Sequence, residues 1–410
     1  MRIVLYGMNY APELTGIGKY NAELAEWLVE KGNSVRVISP PPYYPEWRVH
    51  SGYSNLKYKI ENIKGVEVWR CPLWVPKKIT GKRRVMHLLS YALTSFPSIV
   101  AQLRWRPDII ISVEPPIMCA PMALLVAKMC GAKSCLHVQD FEVDAAFQLN
   151  ILKSKNARLI VEWMEKCITS RFDKVSSISQ RMLQKLGDKG ICESKKIYFP
   201  NWVDLEVIFP QKTNRRLKAE IGLPTDSIVA LYSGNIGRKQ NIDTLLEAAY
   251  HLLNRSDIYI VICGDGVYKK TLMEKGEGCN NVLFIPLQPL EKLNELLNMA
   301  DIHLLPQSSD AADLVMPSKL SGMFASGRPV IATADDNTQV ASIVGNCGVV
   351  VSPGDAKGIA NAILKLGCNP QLRMELGMRA FQFCAAEWEK SAILHKFYSE
   401  VQKTLAETAN

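Results

Sequence analysis

The chain has 410 residues, of which 48% are hydrophobic and 22% charged, a composition typical of a soluble globular protein that excludes fibrous, repeat-built and disordered classes. This length exceeds one ordinary hydrophobic core, so we expect two domains, or three. The net charge of +9 is uneven, because residues 1–205 carry 29 Lys and Arg against 18 Asp and Glu, while residues 206–410 carry 20 against 22, which predicts an anionic partner for the first half.

Cysteine and histidine spacing gives no sign of a metal site. Eleven cysteines are scattered without a CxxC pair, and the six histidines are isolated from one another. This usage is typical of a reducing compartment in which cysteine serves as a small apolar residue. The chain also opens directly into a strand-like run without a signal-peptide pattern, so we expect a cytoplasmic protein.

The first predicted unit is βαβ, with a glycine loop after the first strand. Its strand, loop, helix and second strand are predicted at residues 2–6, 16–18, about 17–31 and 35–39. The dinucleotide fingerprint is incomplete, because Asn21 stands where its third glycine belongs and the second strand ends in Ser39-Pro40 rather than an acidic residue. We therefore interpret Gly16 and Gly18 as a loop that can approach a sugar or a phosphate.

Residues 40–65 are rich in proline and aromatic residues and are predicted to form a long loop. Tyr43, Tyr44 and Trp47 are either available to an acceptor or packed on the surface. A basic cluster then precedes the largely apolar residues 85–103, which contain Pro97 and make a poor membrane-spanning helix. The cluster consists of Lys77, Lys78, Lys82, Arg83 and Arg84. This order favours a helix lying at a bilayer interface, and the alternative is a helix packed on the sheet beside a solvated loop.

Strand and helix patterns alternate through the first 200 residues, which predicts a parallel, doubly wound sheet. The further strands are predicted at residues 108–113, 134–138, 174–177 and 196–199. Because ligands of such sheets bind at the carboxyl ends of strands, Glu114, His137 and Asp140 are candidate site residues. His137 either hydrogen-bonds a substrate hydroxyl or is structural. Residues 198–210 are the best linker candidate.

The second half opens on a strand, a glycine turn and a helix at residues 228–246. Gly234 and Gly237 flank Asn235 in the turn, which ends in the adjacent cations Arg238 and Lys239. A glycine turn with cations at a helix start is suited to phosphate capture, and the alternative is an ordinary turn with surface cations. Asn241 is the predicted cap of the helix.

A second anion site is predicted further along the same half. The strand at 258–263 ends in Gly264-Asp265-Gly266, and Ser318 and Lys319 open a helix after Pro317. Two such sites in one small domain fit a diphosphate held between them.

Several motifs of this half, in their order, resemble the C-terminal domain of the retaining GT-B glycosyltransferases of family 4. They are LYSGNIGRKQNIDTLLEAA, VICGDG, FIPLQP, ADIHLLP and MPSKLSGMFASGRPVIA. YAPELTGIGKY and HVQD resemble the N-terminal glycine loop and histidine-bearing strand end of the same family. The resemblance implies an α/β GT-B fold of two Rossmann-like, doubly wound parallel-sheet domains facing across a cleft. The first would span residues 1–205 with a crossover helix at about 386–410, and the second residues 206–385.

The resemblance also implies roles for individual residues. Arg238 and Lys239 would bind the donor diphosphate, and His137 would contact the transferred sugar, so these three are the implied catalytic residues. The implied donor-binding residues are Gly16, Gly18, Gly234, Asn235, Arg238, Lys239, Gly264, Leu287, Gln288, Ser318 and Lys319. Glu13 and Asp140 are the implied acceptor-binding residues, and no metal or cofactor is implied. One departure is that the two glutamates common in the family correspond here to Leu314 and Gly322, with Asp313 beside the first.

The implied activity is sugar transfer with retention in exopolysaccharide (colanic acid) or lipopolysaccharide biosynthesis. The donor would be a GDP-sugar rather than a UDP-sugar, with GDP-fucose suggested, and the acceptor a polyprenyl-diphosphate-linked oligosaccharide. The protein would lie peripherally on the inner face of the cytoplasmic membrane, against an anionic surface, and would bind no nucleic acid. The alternatives are a GT-B sugar-nucleotide epimerase and a non-catalytic, membrane-associated assembly protein that binds nucleotide sugar.

Overall fold

The computed structural model of the protein describes residues 1–13, 16–78, 80–144, 155–212, 215–307 and 317–407. Backbone contacts divide the chain into two compact units. The first consists of Met1–Pro200 together with Leu394–Asn410, and the second of Asn201–Ile393. The sequence-based boundaries were placed at 205 and about 386.

The first unit is built on an eight-stranded sheet in the order β3-β4-β2-β1-β5-β6-β7-β8. In chain order its strands are β1 (Arg2–Tyr6), β2 (Ser34–Ser39), β3 (Lys59–Ile63), β4 (Val66–Arg70), β5 (Ile109–Glu114), β6 (Lys133–Val138), β7 (Lys174–Ser177) and β8 (Lys196–Tyr198). Every pair is parallel except β3 with β4. Apolar, β-branched runs form the central strands because both faces of a parallel sheet are covered.

The predicted loop over residues 40–65 is wrong at its end, because β3 lies within it. β3 pairs antiparallel with β4 through a tight turn in which Lys64 and Gly65 both have positive φ, at 48° and 85°. Such a turn joins two strands directly. As an edge strand, β3 carries Lys59 and Glu61 and lacks the apolar run that marks a buried strand.

Helices cover the first sheet. They are α1 (Gly16–Glu30), α2 (Gly81–Trp105), α3 (Ala120–Cys130), α4 (Lys155–Thr169), α5 (Gln180–Asp188) and, from the end of the chain, α14 (Lys390–Ala406). α2 begins earlier than predicted because the Thr80 side chain caps it by accepting from the Arg83 amide. Within the described residues, none of the helices combines the length and apolar character that crossing a bilayer requires.

The second unit has a six-stranded parallel sheet in the order β11-β10-β9-β12-β13-β14. Its strands are β9 (Ile228–Ser233), β10 (Ile258–Cys263), β11 (Val282–Ile285), β12 (Ile302–Leu305), β13 (Val330–Thr333) and β14 (Gly348–Val351). Its helices are α6 (Arg215–Glu220), α7 (Asp243–Tyr250), α8 (Lys269–Lys275), α9 (Leu293–Met299), α10 (Lys319–Ala325), α11 (Gln339–Cys347), α12 (Ala356–Gly367) and α13 (Pro370–Glu387). The carboxyl ends of β11, β10, β9 and β12 therefore follow one another along one edge.

The crossover helix predicted from about 386 corresponds to α14 but begins later, because residues 386 and 387 belong to the end of α13. α13 ends at Glu387 and α14 starts at Lys390. Between them the Trp388 carbonyl accepts from the Val203 amide at 2.9 Å, and the Lys390 amide donates back to the Val203 carbonyl at 3.0 Å. This bridge takes the backbone groups that a continuous helix would use.

His303 gives the second unit a defined response to acid. It is fully buried on β12, where its Nε2 lies 2.9 Å from Ser326 Oγ, and burial followed by the charge of Arg328 lowers its pKa from 6.5 to about 3. Below pH 6.5 the unfolded chain binds a proton that the folded unit does not, so stability should fall as the pH drops towards 3. At pH 5 the expected loss is about 2 kcal/mol.

We expect His303→Phe to flatten this dependence. The measurement is native-state hydrogen exchange of the β12 and β13 amides between pH 7 and pH 5. An unchanged slope in the variant would show that other groups cause the acid response.

Candidate functional site

The predicted glycine turn follows β9 and packs directly on the turn that follows β10. The Ile236 amide donates to the Asp265 carbonyl at 2.8 Å. A Cβ on Gly264 would lie 1.9 Å from the Gly234 carbonyl oxygen, so no other residue fits there. The glycine of this second turn is therefore required by the neighbouring backbone, and not only by a ligand as the sequence suggested.

Lys319 reaches this turn from a distant part of the chain. It is the first residue of α10, and its Nζ lies 4.2 Å from the centre of the Tyr232 ring. The same Nζ would be 3.6 Å from a Cβ on Gly234. Tyr232 in turn donates its hydroxyl to the Asn235 carbonyl at 2.6 Å, which fixes the ring beneath the turn. The structure thus brings together two predicted anion sites, through an aromatic ring that the sequence analysis did not single out.

Burial lowers the pKa of Lys319 from 10.5 to about 7. Lys319 is half-buried, so its ammonium has lost part of its hydration, and a phosphate oxygen is a suitable partner for it. Ser318 precedes Lys319 with an exposed side chain that makes no cap hydrogen bond to the helix, while its carbonyl accepts from Ser321 Oγ. Of the two residues, Lys319 is therefore the one whose charge would attract an anion.

Arg238 lies in a short 3₁₀ turn, Arg238–Gln240, that follows the glycine turn. Its guanidinium carbon is 5.4 Å from the centre of the Tyr268 ring, and the side chain is exposed. The Tyr268 hydroxyl donates to Asp243 Oδ1 at 2.9 Å, and Lys275 Nζ donates to both groups. Arg238 is therefore held over a fixed aromatic platform, with its donors towards solvent.

Three further predictions concern this turn. Lys239 shares the 3₁₀ turn, and its side chain lies outside the described part of the chain. Asn235 is exposed at the start of the turn. Asn241 is not a helix cap, because it adopts a left-handed conformation (φ 51°) and α7 starts two residues later without a side-chain cap.

Leu287 and Gln288 follow β11, the strand beside β10. Leu287 is 65% exposed, and Gln288 Nε2 donates to the Pro286 carbonyl at 3.0 Å. Along the carboxyl edge of the sheet, this turn is followed by the turns at Gly264 and at Gly234. The order matches a ligand with a flat apolar end near Leu287 and an anionic end near Lys319.

The two positions that differ from the family pattern are only partly described. Leu314 and the neighbouring Asp313 lie outside the described residues. Gly322 is on α10, where a Cβ would meet the methyl groups of Leu297 at 3.5 Å and Ile208 at 3.7 Å. These surroundings are apolar.

In the first unit, Glu13 holds two loops together. Its Oε1 accepts from the backbone amides of Tyr43 and Tyr44, both at 3.0 Å, and its Oε2 accepts from Asn9 Nδ2 at 2.8 Å. A Cβ on Gly18 would lie 2.8 Å from the same Oε2. The glycine thus makes room for the buried carboxylate, a packing role that the sequence did not indicate. Gly16 is the first residue of α1, and its Cα faces the Tyr44 ring.

His137 is buried in β6 with both ring nitrogens occupied. Nδ1 lies 2.9 Å from Ser176 Oγ on β7, and Nε2 lies 2.9 Å from Gln139 Nε2. The amide nitrogen of Gln139 can only donate, so His137 Nε2 is the acceptor and the ring proton is on Nδ1. Burial lowers the pKa of His137 to about 3, which keeps the ring neutral. Contact with a sugar hydroxyl requires Gln139 to move away from Nε2.

Asp140 and Glu114 complete the carboxyl edge of this sheet. Burial raises the pKa of Asp140 to about 6, although the charge of Arg84 acts in the opposite direction. Glu114 is buried, its Oε1 has no hydrogen-bond partner among the described residues, and burial raises its pKa far above the ordinary value. In the described part of the chain, no three His, Cys, Asp or Glu side chains converge so as to hold a metal ion.

Two protein families match the chain, one for each half. Residues 15–202 match the family described as a glycosyl transferase 4-like domain, and residues 213–383 match glycosyl transferases group 1. WcaI of Escherichia coli K12, a glycosyl transferase assigned to colanic acid biosynthesis, is 38% identical over 98% of this chain and 100% of its own length.

Solved structures of the same fold cover nearly the whole chain. Sucrose-phosphate synthase of Thermosynechococcus elongatus has a TM-score of 0.77 at 18% identity, covering 99% of this chain and 100% of its own. HepE of Anabaena, solved with UDP and glucose, has a TM-score of 0.68 at 13% identity, covering 98% and 100%. These likenesses and the two parallel sheets confirm the predicted GT-B fold class.

Proposed function

This chain belongs to the glycosyl transferases group 1 family, and on that premise we propose that it moves a sugar from a nucleotide sugar to an acceptor hydroxyl in exopolysaccharide biosynthesis of the colanic acid type. The observation that carries the proposal is the approach of Lys319 to the glycine turn at Gly234, with Arg238 on the same turn. A glycine turn that contains one cation and is approached by a second is suited to a diphosphate, the leaving group of such a donor.

The proposed chemistry needs little from the protein beyond electrostatics and positioning. The anomeric carbon–oxygen bond to the diphosphate breaks through an oxocarbenium-like state, and the acceptor oxygen forms the new bond on the same face. The acceptor proton passes to the departing phosphate oxygen, so no protein nucleophile is required. Lys319 and Arg238 stabilise the negative charge that grows on the diphosphate, and Lys239 is proposed to assist them.

Donor recognition follows the order of turns along the second sheet. The base is proposed to lie against Leu287 and Gln288, next to the turn that starts at Gly264, and the diphosphate to lie between Gly234, Asn235 and the Ser318–Lys319 helix start. A GDP-sugar, with fucose as the sugar, remains the proposed donor. The UDP bound in HepE makes UDP-sugars the comparison that any test must include.

The acceptor is proposed to bind the first unit, and to be a polyprenyl-diphosphate-linked oligosaccharide presented at the inner face of the cytoplasmic membrane. Gly16 and Gly18 lie in the first turn of α1 and not in the predicted loop, and they remain proposed donor contacts. Burial, followed by the charge of Asp140, raises the pKa of Tyr44, and the backbone amide of Tyr44 donates to Glu13. His137 is proposed to contact the transferred sugar after Gln139 moves.

The proposed function is tested with purified protein, GDP-fucose and UDP-glucose, with and without a lipid-linked acceptor. We expect the donor to raise the unfolding temperature, because a ligand of the folded state stabilises it, and we expect transfer only when acceptor is present. A product formed without acceptor would indicate an epimerase. Donor binding without turnover under any condition would indicate an assembly protein. No binding of any nucleotide sugar would refute the proposal.

A further inference from the structure

The outward side of α2 is apolar over three turns. Met86, Leu89, Leu93 and Phe96 are 57%, 45%, 66% and 47% exposed, and their spacing of three and four residues puts them on one face. The opposite face, with Tyr91 among its residues, is buried against the sheet. A surface helix normally carries polar residues on its outward side. α2 differs, because it has apolar residues on both its outward and its buried side.

α4 exposes apolar side chains and buries a charged one, the reverse of an ordinary amphipathic surface helix. Its exposed side carries Leu159, Ile160, Trp163 and Met164, which are 65%, 58%, 65% and 48% exposed. Its buried side carries Glu165, only 5% exposed, whose Oε2 accepts from Lys189 Nζ. The amphipathic pattern of α4 thus points its apolar stripe towards solvent, and about half or more of each of these side chains is exposed.

α3 lies between these two helices and packs on both. Leu125 and Met129 on its outward side are 49% and 63% exposed. The connections β4 to β5, β5 to β6 and β6 to β7 all run in one direction across the sheet. Right-handed crossovers therefore place α2, α3 and α4 on the same face of the sheet. We call the exposed apolar side chains of these three helices the outer apolar face.

Basic residues border the outer apolar face. Lys77 and Lys78 precede α2 and are exposed, and Lys82 and Arg83 are exposed in its first turn. α2 contains no acidic residue, and Lys128 is exposed on α3. An apolar surface of this extent marks an interaction site, and its cationic border selects an anionic partner.

We propose that the outer apolar face rests on a bilayer that contains anionic lipid, with α4 contributing apolar contact together with α2 and α3. The inference rests on the proposed function for its purpose, since a lipid-linked acceptor is found at such a surface, and it extends the contact beyond the single helix expected from the sequence. A second copy of the chain fits less well. In a two-fold dimer the same basic border would approach itself, and like charges repel.

The test is cosedimentation of the full-length protein with vesicles of phosphatidylglycerol and phosphatidylcholine. The double variant Leu159→Ser/Trp163→Ser removes two large apolar contacts from α4. We expect it to bind about tenfold or more weakly, because two large apolar side chains no longer enter the bilayer. Wild-type protein should also bind pure phosphatidylcholine much more weakly than the mixture, because the basic border then has no anionic headgroup.

The matched control is Met374→Ser/Met378→Ser, which removes two apolar side chains of 66% and 56% exposure from α13 in the second unit. It should bind vesicles like the wild type. Unfolding temperature and donor binding of all variants show whether folding is intact. Because donor binding is measured without vesicles, failure of the membrane inference and failure of the transferase proposal give different results.

Two outcomes would overturn the inference. If the α4 variant binds vesicles as tightly as wild type, while Leu89→Ser/Leu93→Ser on α2 does not, α4 lies outside the contact. If sedimentation velocity shows a wild-type dimer that the α4 variant converts to a monomer, with vesicle binding unchanged, the face is covered by a second copy.

Discussion

Lys319→Met is expected to lower the turnover of nucleotide sugar about 10²–10³-fold while leaving the protein folded. The ammonium is the cation that the fold carries onto the glycine turn, 4.2 Å from the Tyr232 ring, where a diphosphate would replace its lost hydration. Negative charge grows on that diphosphate as the sugar leaves, so the loss should be larger in turnover than in donor affinity. Steady-state kinetics with the donor identified in the binding screen measures both.

The stability of Lys319→Met distinguishes this loss from unfolding. The folded-state pKa of about 7 lies below the unfolded value of 10.5, so the unfolded chain binds more protons between these limits. Wild-type stability should therefore rise with pH from 7 to 10.5, and this dependence should be absent in the variant. Methionine removes a buried charge, so at pH 7 its unfolding temperature should equal or exceed that of the wild type.

Proton uptake gives a direct check of the contact. Donor binding at pH 8 should raise the pKa of Lys319 and draw a proton from the buffer, which calorimetry in two buffers of different ionisation enthalpy detects. A nucleotide sugar is the suitable ligand, because its diphosphate has no group that titrates near neutrality. Equal uptake by wild type and Lys319→Met would show that the anion binds elsewhere.

Arg238→Ala is expected to lower turnover about 10²-fold. The guanidinium is exposed above Tyr268, a ring held by Asp243 and Lys275. Its N–H groups are therefore already in position before the nucleotide sugar binds. Arg238→Lys should recover only part of the activity, because an ammonium cannot bind two phosphate oxygens in a planar, bidentate manner. The kinetic assay is the one used for Lys319.

Lys270→Ala is the matched control for Arg238→Ala. It removes one cation from the same unit, where Lys270 is exposed on α8 and pairs with Glu274 at 4.0 Å. Its turnover should stay within about twofold of wild type, since exposed pairs of this kind contribute little. Wild-type turnover in Arg238→Ala would remove Arg238 from the proposed diphosphate site.

The sequence predicted most of the parallel strands, because a strand covered on both faces must be a continuous apolar run. It missed β3, whose Lys59 and Glu61 are permitted by its place at the sheet edge. It began the C-terminal helix at about 386 rather than at Lys390, because the break at Trp388 depends on a pairing with Val203 far along the chain. The edge position of β3 and the pairing at Val203 are both set by tertiary packing, which local periodicity does not contain.

In the candidate site, too, local patterns predicted some residues and tertiary contacts decided the others. The glycine turns, Arg238 and the Ser318–Lys319 helix start were predicted from local patterns of small residues and cations. Tyr232, Tyr268, Gln139 and Ser176 were not, because each acts through contact with a side chain from another turn or strand. Two of these had a local signal, since Tyr268 comes two residues after Gly266 and Gln139 stands within the HVQD motif.

By itself the sequence determined the alternation of strand and helix and the uneven charge, because these depend on residue order and composition. Its ordered motifs indicated the GT-B fold class through their resemblance to a known family. Only the tertiary structure decided that Lys319 meets the turn at Gly234, that Glu13 is used to hold loops, and that α4 turns its apolar stripe outward. Periodicity specifies that a helix has two different faces. Which of them is covered depends on neighbours contributed by distant segments, and that choice is made when the chain packs.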